Sequence, residues 1–380
     1  MKKVLCLALA VVMVFALCAC GSSASKNAAF KLGGIGPITG GAAIYGQAVK
    51  NAMEIAVEEI NAKGGVQFEM NFQDDAHDAE TSVNAYGNLM DWGMQILVGT
   101  VTSTPCAAVA PEAEKDGVFT LTPSASSPSV LNGTTHVFQM CFSDPNQGVA
   151  SADYLAANGM GDAVAVIYNN GDAYSTGIYE KFASEAQAKG LNVVYTGTFT
   201  DDSATDFSTQ ITDAQAAGAT VMFLPIYYTP VSLIMTQASK AGAEFTYFGV
   251  DGMDGLLDLE GFDTALAEGA YLLTPFSADA SDDLTKNFVA KYQEKFNETP
   301  NQFAADAYDC VYAVYNAVTK LGLTADMSTQ DIGNKLTEAF GSDFTFSGLT
   351  GANMTWAPTG EVSKDPMAVI IKDGAYASVK

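Results

Sequence analysis

The residues able to do chemistry in this chain fall into two loops of short hydroxyl side chains, a few tyrosines and one aspartate set among glycines. Gly99-Thr100-Val101-Thr102-Ser103-Thr104-Pro105 and Thr122-Pro123-Ser124-Ala125-Ser126-Ser127-Pro128 each follow a short apolar run. Hydroxyls and free backbone N–H groups at the start of a helix can hold a carboxylate without any cationic side chain. Later in the chain stand Tyr174, the pair Tyr227-Tyr228, and Asp251 between Gly249 and Gly252. One acid in a neutral, aromatic-lined cleft suits a ligand ammonium. Taken singly, a loop serine is usually a turn or a cap, and a tyrosine is usually packing. Together, an anion site in one half and a cation site in the other suggest an α-amino acid.

Composition narrows the chemistry further. All 18 basic residues are lysine, against 43 acids, for a net charge of −25. Without arginine, no ligand can be gripped by a guanidinium fork. A charge of this sign and size repels phosphate backbones, which excludes nucleic acid as a partner. Gly34-Ile35-Gly36 resembles the start of a dinucleotide loop, but the third glycine, Gly40, comes one position late, and the next strand's acid, Asp74, lies far beyond the usual interval of about 20 residues. The motifs of serine hydrolases, zinc proteases, P-loop NTPases and EF-hands are missing. Two histidines, His77 and His136, leave little acid–base material near neutral pH. They read as surface or hydrogen-bonded structural residues. The run Asp74-Asp75-Ala76-His77-Asp78 reads as a helix cap at Asp78 rather than a metal site. No CxxC pair or Cys/His cluster indicates zinc. Neither a metal nor any other cofactor is expected.

The elements that must position these residues alternate. Apolar runs at 30–35, 66–72, 96–98 and 118–122 read as strands, separated by helical periods over about 48–60, 79–92 and 111–116. The order restarts at Asp162, with strands at 163–168, 193–198 and 221–224 and helices ending at Lys189 and Ala217. Helices at 284–296 and 303–320, and strands at 346–356 and 367–371, complete the pattern. This β-α-β alternation predicts an α/β protein of two lobes, each a doubly wound, mostly parallel sheet flanked by helices. Before the first strand, Lys2 and Lys3 precede an uncharged apolar stretch, Val4 to Ala19, of signal-peptide length. It ends Leu17-Cys18-Ala19-Cys20, which resembles the bacterial lipoprotein processing motif. That resemblance implies a signal peptide over 1–19, an acylated Cys20 and a flexible tether to residue 27, with the protein anchored at the outer face of the cytoplasmic membrane. Cys106, Cys141 and Cys310 remain, an odd number, so at most one pair could be bridged.

Several segments carry a wider likeness: GPITGGAAIYGQAVKNAMEIAVEEINAKGGV (36–66), QDDAHDA (73–79), LVGTVTSTP (97–105) and GVFTLTPSASSPSV (117–130). DPNQG (144–148), YNNGDAYSTG (168–177), FGVDG (248–252) and FAADAYD (303–309) continue it. In this order and spacing the chain resembles the leucine/isoleucine/valine-binding proteins of ABC importers over nearly its whole mature length. The resemblance implies a type I periplasmic-binding fold, lobes at 28–143 plus 276–350 and at 144–275 plus 351–380, and hinge crossings near Phe142–Asn146, Thr274–Phe276 and Thr350–Thr355. It implies a monomer that closes over a branched-chain or other aliphatic amino acid and hands it to a membrane permease pair driven by cytoplasmic ATPases. By the same resemblance Tyr45 covers the ligand side chain, and Ser103, with Thr102 beside it, binds the carboxylate. Ser124, Ala125 and Ser126 supply carbonyl, hydroxyl and N–H groups; Tyr174 and Tyr227 close from the second lobe; Asp251, commonly a glutamate in that family, pairs with the ammonium. Some members bridge the loop after the second strand to the first ligand loop by a disulfide, where this chain has His77 and Thr102. Two other readings stay open: a receptor for another small amide or aromatic acid, and a sensor rather than a transport component. No residue set recommends an enzyme.

Overall fold

The computed structural model describes residues 28–200 and 204–379. The expected signal peptide, Cys20 and the tether lie outside the described residues. From the first strand onward the chain alternates as its periodicity implies. β1 (Phe30–Gly36), α1 (Ala43–Lys63), β2 (Phe68–Asp74), α2 (Ala79–Trp92), β3 (Ile96–Gly99), α3 (Ser103–Asp116), β4 (Phe119–Thr122) and β5 (Val137–Gln139) build the first unit. Its sheet runs β2-β1-β3-β4-β5, with every pairing parallel. α4 (Asp144–Ala157), β6 (Val164–Asn169), α5 (Ala173–Lys189), β7 (Val193–Phe199), α6 (Ser208–Ala216), β8 (Val221–Leu224), α7 (Tyr228–Ala241), β9 (Thr246–Gly249) and β10 (Tyr271–Thr274) build the second. α8 (Asp283–Phe296), α9 (Gln302–Leu321) and α10 (Thr329–Phe340) then return to the first unit, and β11 (Met367–Lys372) and β12 (Ala375–Ser378) to the second. The second sheet runs β12-β11-β10-β9-β8-β6-β7, parallel except for its last two strands, which pair antiparallel.

Local chemistry sets several of these boundaries. α1 buries Val49, Ala52, Met53, Ala56 and Ile60 on one face and stops where Gly64 and Gly65 take positive φ, a conformation without steric cost for glycine. Asp78 caps α2, its carboxylate accepting from the Thr81 N–H at 2.8 Å. α9 is buried along most of its length, sandwiched against α1, which explains why alanine, valine and tyrosine recur along it.

The expected strand over 346–356 is not one. Two isolated antiparallel bridges, Phe346 with Met354 and Trp356 with Val362, replace it. Trp356 packs on Phe340 at 4.7 Å and donates its indole N–H to the Gln139 carbonyl, while Gly360 accepts from the Gln139 N–H. Residues 346–363 therefore pack on the edge of the first sheet, and the expected crossing at Thr350–Thr355 falls inside this segment; the chain joins the second sheet only at β11. Lys364 follows directly. Its buried ammonium binds Asp306 and the Thr350 hydroxyl, each at 2.6 Å, tying the end of the segment to α9. Cys106, Cys141 and Cys310 are all buried and unbridged.

Candidate functional site

The site lies beyond the carboxyl ends of the strands of both sheets, where open α/β folds bind ligands. β3 ends at Gly99, and Thr102 becomes the N-cap of α3 with Ser103 at its first position. β4 ends at Thr122 and leads into the serine loop. From the other sheet, β6 delivers the start of α5 with Tyr174, β8 delivers Tyr227 as N-cap of α7, and β9 delivers Asp251. The start of α9 adds Phe303. Helix N-termini thus converge from both lobes and supply positive potential where this chain has no arginine to do so.

Tyr45, Thr102, Ser103, Ser124, Tyr174, Tyr227 and Asp251 all line one cavity, together with Val101, Gly252 and Phe303. Ala125 and Ser126 are buried but do not reach its wall; Ala125 spends its carbonyl on the Gln139 side-chain amide at 2.8 Å. Ser126 instead lies against the start of α4, its carbonyl accepting from the Asp144 N–H at 3.0 Å. Ser124 turns its hydroxyl onto the Val101 carbonyl at 2.6 Å, which joins the two hydroxyl loops. Ser103 accepts from the Ser127 N–H at 3.2 Å and does the same. His77 and Thr102 are joined by a 2.8 Å hydrogen bond between ring nitrogen and hydroxyl.

Aromatic rings occupy most of the space between the lobes. Tyr174 stacks on Tyr227 with centroids 4.9 Å apart, and Tyr45 packs at 4.3 Å from Phe303 and edge-on to Tyr228 at 4.9 Å. The remaining cavity is about 10 Å³, room for roughly one water. An amino acid therefore enters only if the lobes part or the rings swing away. Bonds across the cleft hold it shut. The Tyr45 hydroxyl donates to the Gly252 carbonyl and accepts from the Tyr228 N–H, and Thr229 donates to the Gly41 carbonyl at 2.7 Å.

Burial pushes the Asp251 carboxyl up to about 7, against the hydrogen bonds it accepts from Tyr174 and Gln147. Tyr174 donates to its Oδ1 at 2.5 Å, and the Asp251 N–H donates to Gln147 Oε1 at 3.1 Å. Gln147, Gln302 and Phe303 are the supporting residues that sequence reasoning missed. The segments DPNQG and FAADAYD pointed toward them, but nothing local says which side chain faces a cleft built from the opposite lobe. His136 is a structural residue, bonded to Glu114 and Asn334. Among the described residues no cluster of His, Cys, Asp or Glu could hold a metal ion.

Comparison with known proteins gives the same picture. A Leu/Ile/Val-binding protein homologue from Brucella melitensis is 29% identical over 314 residues, covering 80% of this chain and 83% of that protein. A leucine-, isoleucine-, valine-, threonine- and alanine-binding protein from Pseudomonas aeruginosa is 26% identical over 317 residues, covering 81% and 84%. The crystal structure of LivJ from Streptococcus pneumoniae, a branched-chain amino acid transporter substrate-binding protein in complex with isoleucine, superposes with a TM-score of 0.83 at 26% identity. That superposition covers 92% of this chain and 98% of LivJ. The model described as "Periplasmic binding protein" matches residues 29–375. Two lobes, a cleft beyond their strand ends and a family match across nearly the whole chain place this protein in the periplasmic binding protein family, the extracytoplasmic solute receptors of ABC transport, which bind their ligands without turning them over.

Proposed function

We propose that this protein captures an α-amino acid, branched-chain or otherwise aliphatic, between its lobes and delivers it to an ABC permease. The observation that carries the reading is the pairing across one cavity of the α3 N-terminus, with Thr102 and Ser103, and the buried carboxylate of Asp251. The ligand carboxylate would sit at the hydroxyl loops, against Thr102, Ser103 and Ser124; the ammonium would face Asp251; the apolar side chain would lie against Tyr45 and Phe303. Titration calorimetry with leucine, isoleucine, valine and alanine tests this. Asp251→Asn should weaken binding more than tenfold with the melting transition intact, and an unchanged affinity would remove the ammonium assignment.

The stacked tyrosines favour one second reading, an aromatic acid. Binding of benzoate or 4-hydroxybenzoate, with no response to any amino acid, would replace the first reading by it. Uptake of labelled leucine that survives deletion of the gene would favour a sensor over a transport component. The lobes are proposed to hinge as a monomer, at 142–146, 274–276 and a third crossing after residue 363, where the chain leaves the first sheet. The motif ending at Cys20 supports lipid anchoring, since two acyl chains suffice for stable attachment. Cys20→Ser should then release the protein from the membrane fraction, and retention of that variant on membranes would argue against acylation.

A further inference from the structure

A second cavity, about 340 Å³, lies beside the cleft and is thirty-fold roomier than the site between the tyrosines. That volume is in the range of small-ligand pockets. Its apolar walls come from both lobes: Leu257, Leu272 and Val369 on one side, Val289 and Pro300 on the other, with Phe276 of the second crossing between them. Every charged side chain on the wall is an acid: Asp254, Asp258 and Asp279. Among the described residues no lysine pairs with any of them. Asp254 is engaged with backbone, accepting from the Gly255 and Gln302 N–H groups at 2.9 Å each, and Asp279 accepts from the Ser277 hydroxyl. Asp258 makes neither kind of bond. Asp258 and Asp279 both remain exposed to solvent, and partial desolvation of Asp258, with Asp254 and Glu298 nearby, pushes its carboxyl up to about 6. The Tyr376 hydroxyl, also on this wall, is buried beside Asp254 without a hydrogen bond of good geometry.

A bare metal ion does not fit these facts, because the acids are too dispersed to form a metal-binding group. The apolar walls would also be idle. An elongated organic cation answers both points: its charged ends can reach separate carboxylates, and its chain can cover the hydrocarbon surface. We propose that this cavity is a second binding site, for a small organic ammonium with an apolar body, held by Asp258 and Asp279, with the Tyr376 hydroxyl as a further acceptor. Gln302 joins it to the first site. Its N–H binds Asp254, and its side-chain amide donates to the Asp251 carbonyl at 3.3 Å. With walls on both lobes, the cavity changes shape as the lobes move, so an occupant selects one interlobe angle; this last point rests on the hinged-receptor reading above.

The test uses 1,5-diaminopentane at constant ionic strength, followed by calorimetry and thermal melting. Wild-type protein should show a saturable rise in melting temperature. The double variant Asp258→Asn/Asp279→Asn should bind the diamine at least tenfold more weakly while keeping its amino-acid affinity within threefold, and Tyr376→Phe should bind it several-fold more weakly. The Asp251→Asn variant should keep the diamine response, which separates this site from the cleft. An undiminished response in the double variant, an equal response to 1-pentanol, or loss of the response in Asp251→Asn would each overturn the second site.

Discussion

Tyr45 shows how much of the site's behaviour rests on single side chains. Its phenol sits on the first lobe, yet both of its hydrogen bonds, to the Gly252 carbonyl and from the Tyr228 N–H, are to the second. Tyr45→Phe leaves those buried backbone groups unpaired, and an orphaned buried group costs about 1–3 kcal/mol. The urea midpoint should fall accordingly, and an unchanged midpoint would mean that these bonds do not hold the lobes together. Residue by residue, the hydroxyls and Asp251 were legible because their signals are local: small polar residues after an apolar run, an acid among glycines. Gln147 was not legible in the same way. It matters because it accepts from the Asp251 N–H, 104 residues along the chain, and only folding brings the two together.

Two glycines separate packing from propensity at the level of elements. Gly46 lies in α1 where a Cβ would come within 2.0 Å of the Pro37 carbonyl oxygen, so the loop after β1 can lie directly on the helix. Gly87 lies in α2, exposed, with nothing within 4 Å of the same position. Gly46→Ala should destabilise by about 1–3 kcal/mol, the usual cost of forcing atoms into a packed contact. Gly87→Ala should stabilise by up to about 1 kcal/mol through helix propensity alone. Equal effects of the two in denaturant titrations would contradict the packing argument. Most helices follow the 3–4 apolar spacing because each buries one face, and the central parallel strands read as unbroken apolar runs because both of their faces are buried. The segment 346–363 departed from these patterns because Trp356 buries against Phe340 of α10 and the edge of the first sheet, while the buried Phe346 only bridges to Met354. They are there as packing, without forming a ladder of their own.

For the whole molecule, pH dependence follows from which carboxyls are buried. Burial pushes Asp75 up to about 6 and Asp251 up to about 7, so between the ordinary carboxylate range and those values the native protein holds protons that the unfolded chain has lost. Stability from these groups is therefore greatest in acid and is lost as pH rises from about 4 to about 7. Easing of the repulsion within a chain of net charge −25 acts in the same direction. Glu114 opposes it. Although burial works against ionisation, the Thr135 and His136 N–H donors hold its carboxyl down at about 2, and its contribution is lost as pH falls from about 4.5 toward 2. The melting temperature should peak between about pH 4.5 and 6 and be lower at pH 8. A continuous rise through neutrality in calorimetric scans would contradict this balance.

By itself the sequence determined the alternating α/β order, the two-lobed fold and the absence of any guanidinium, because periodicity and composition are properties of the chain as written. It also marked the hydroxyl loops and Asp251, whose types carry their chemistry with them. Tertiary structure alone decided what those residues do together. It closed the tyrosine rings onto a space of about 10 Å³, replaced the missing arginine with helix N-termini converging from both lobes, and gathered Asp258, Asp279 and Tyr376 around a second cavity. Each of these depends on surfaces brought together from distant parts of the chain, and no local pattern of residues records where such surfaces will meet.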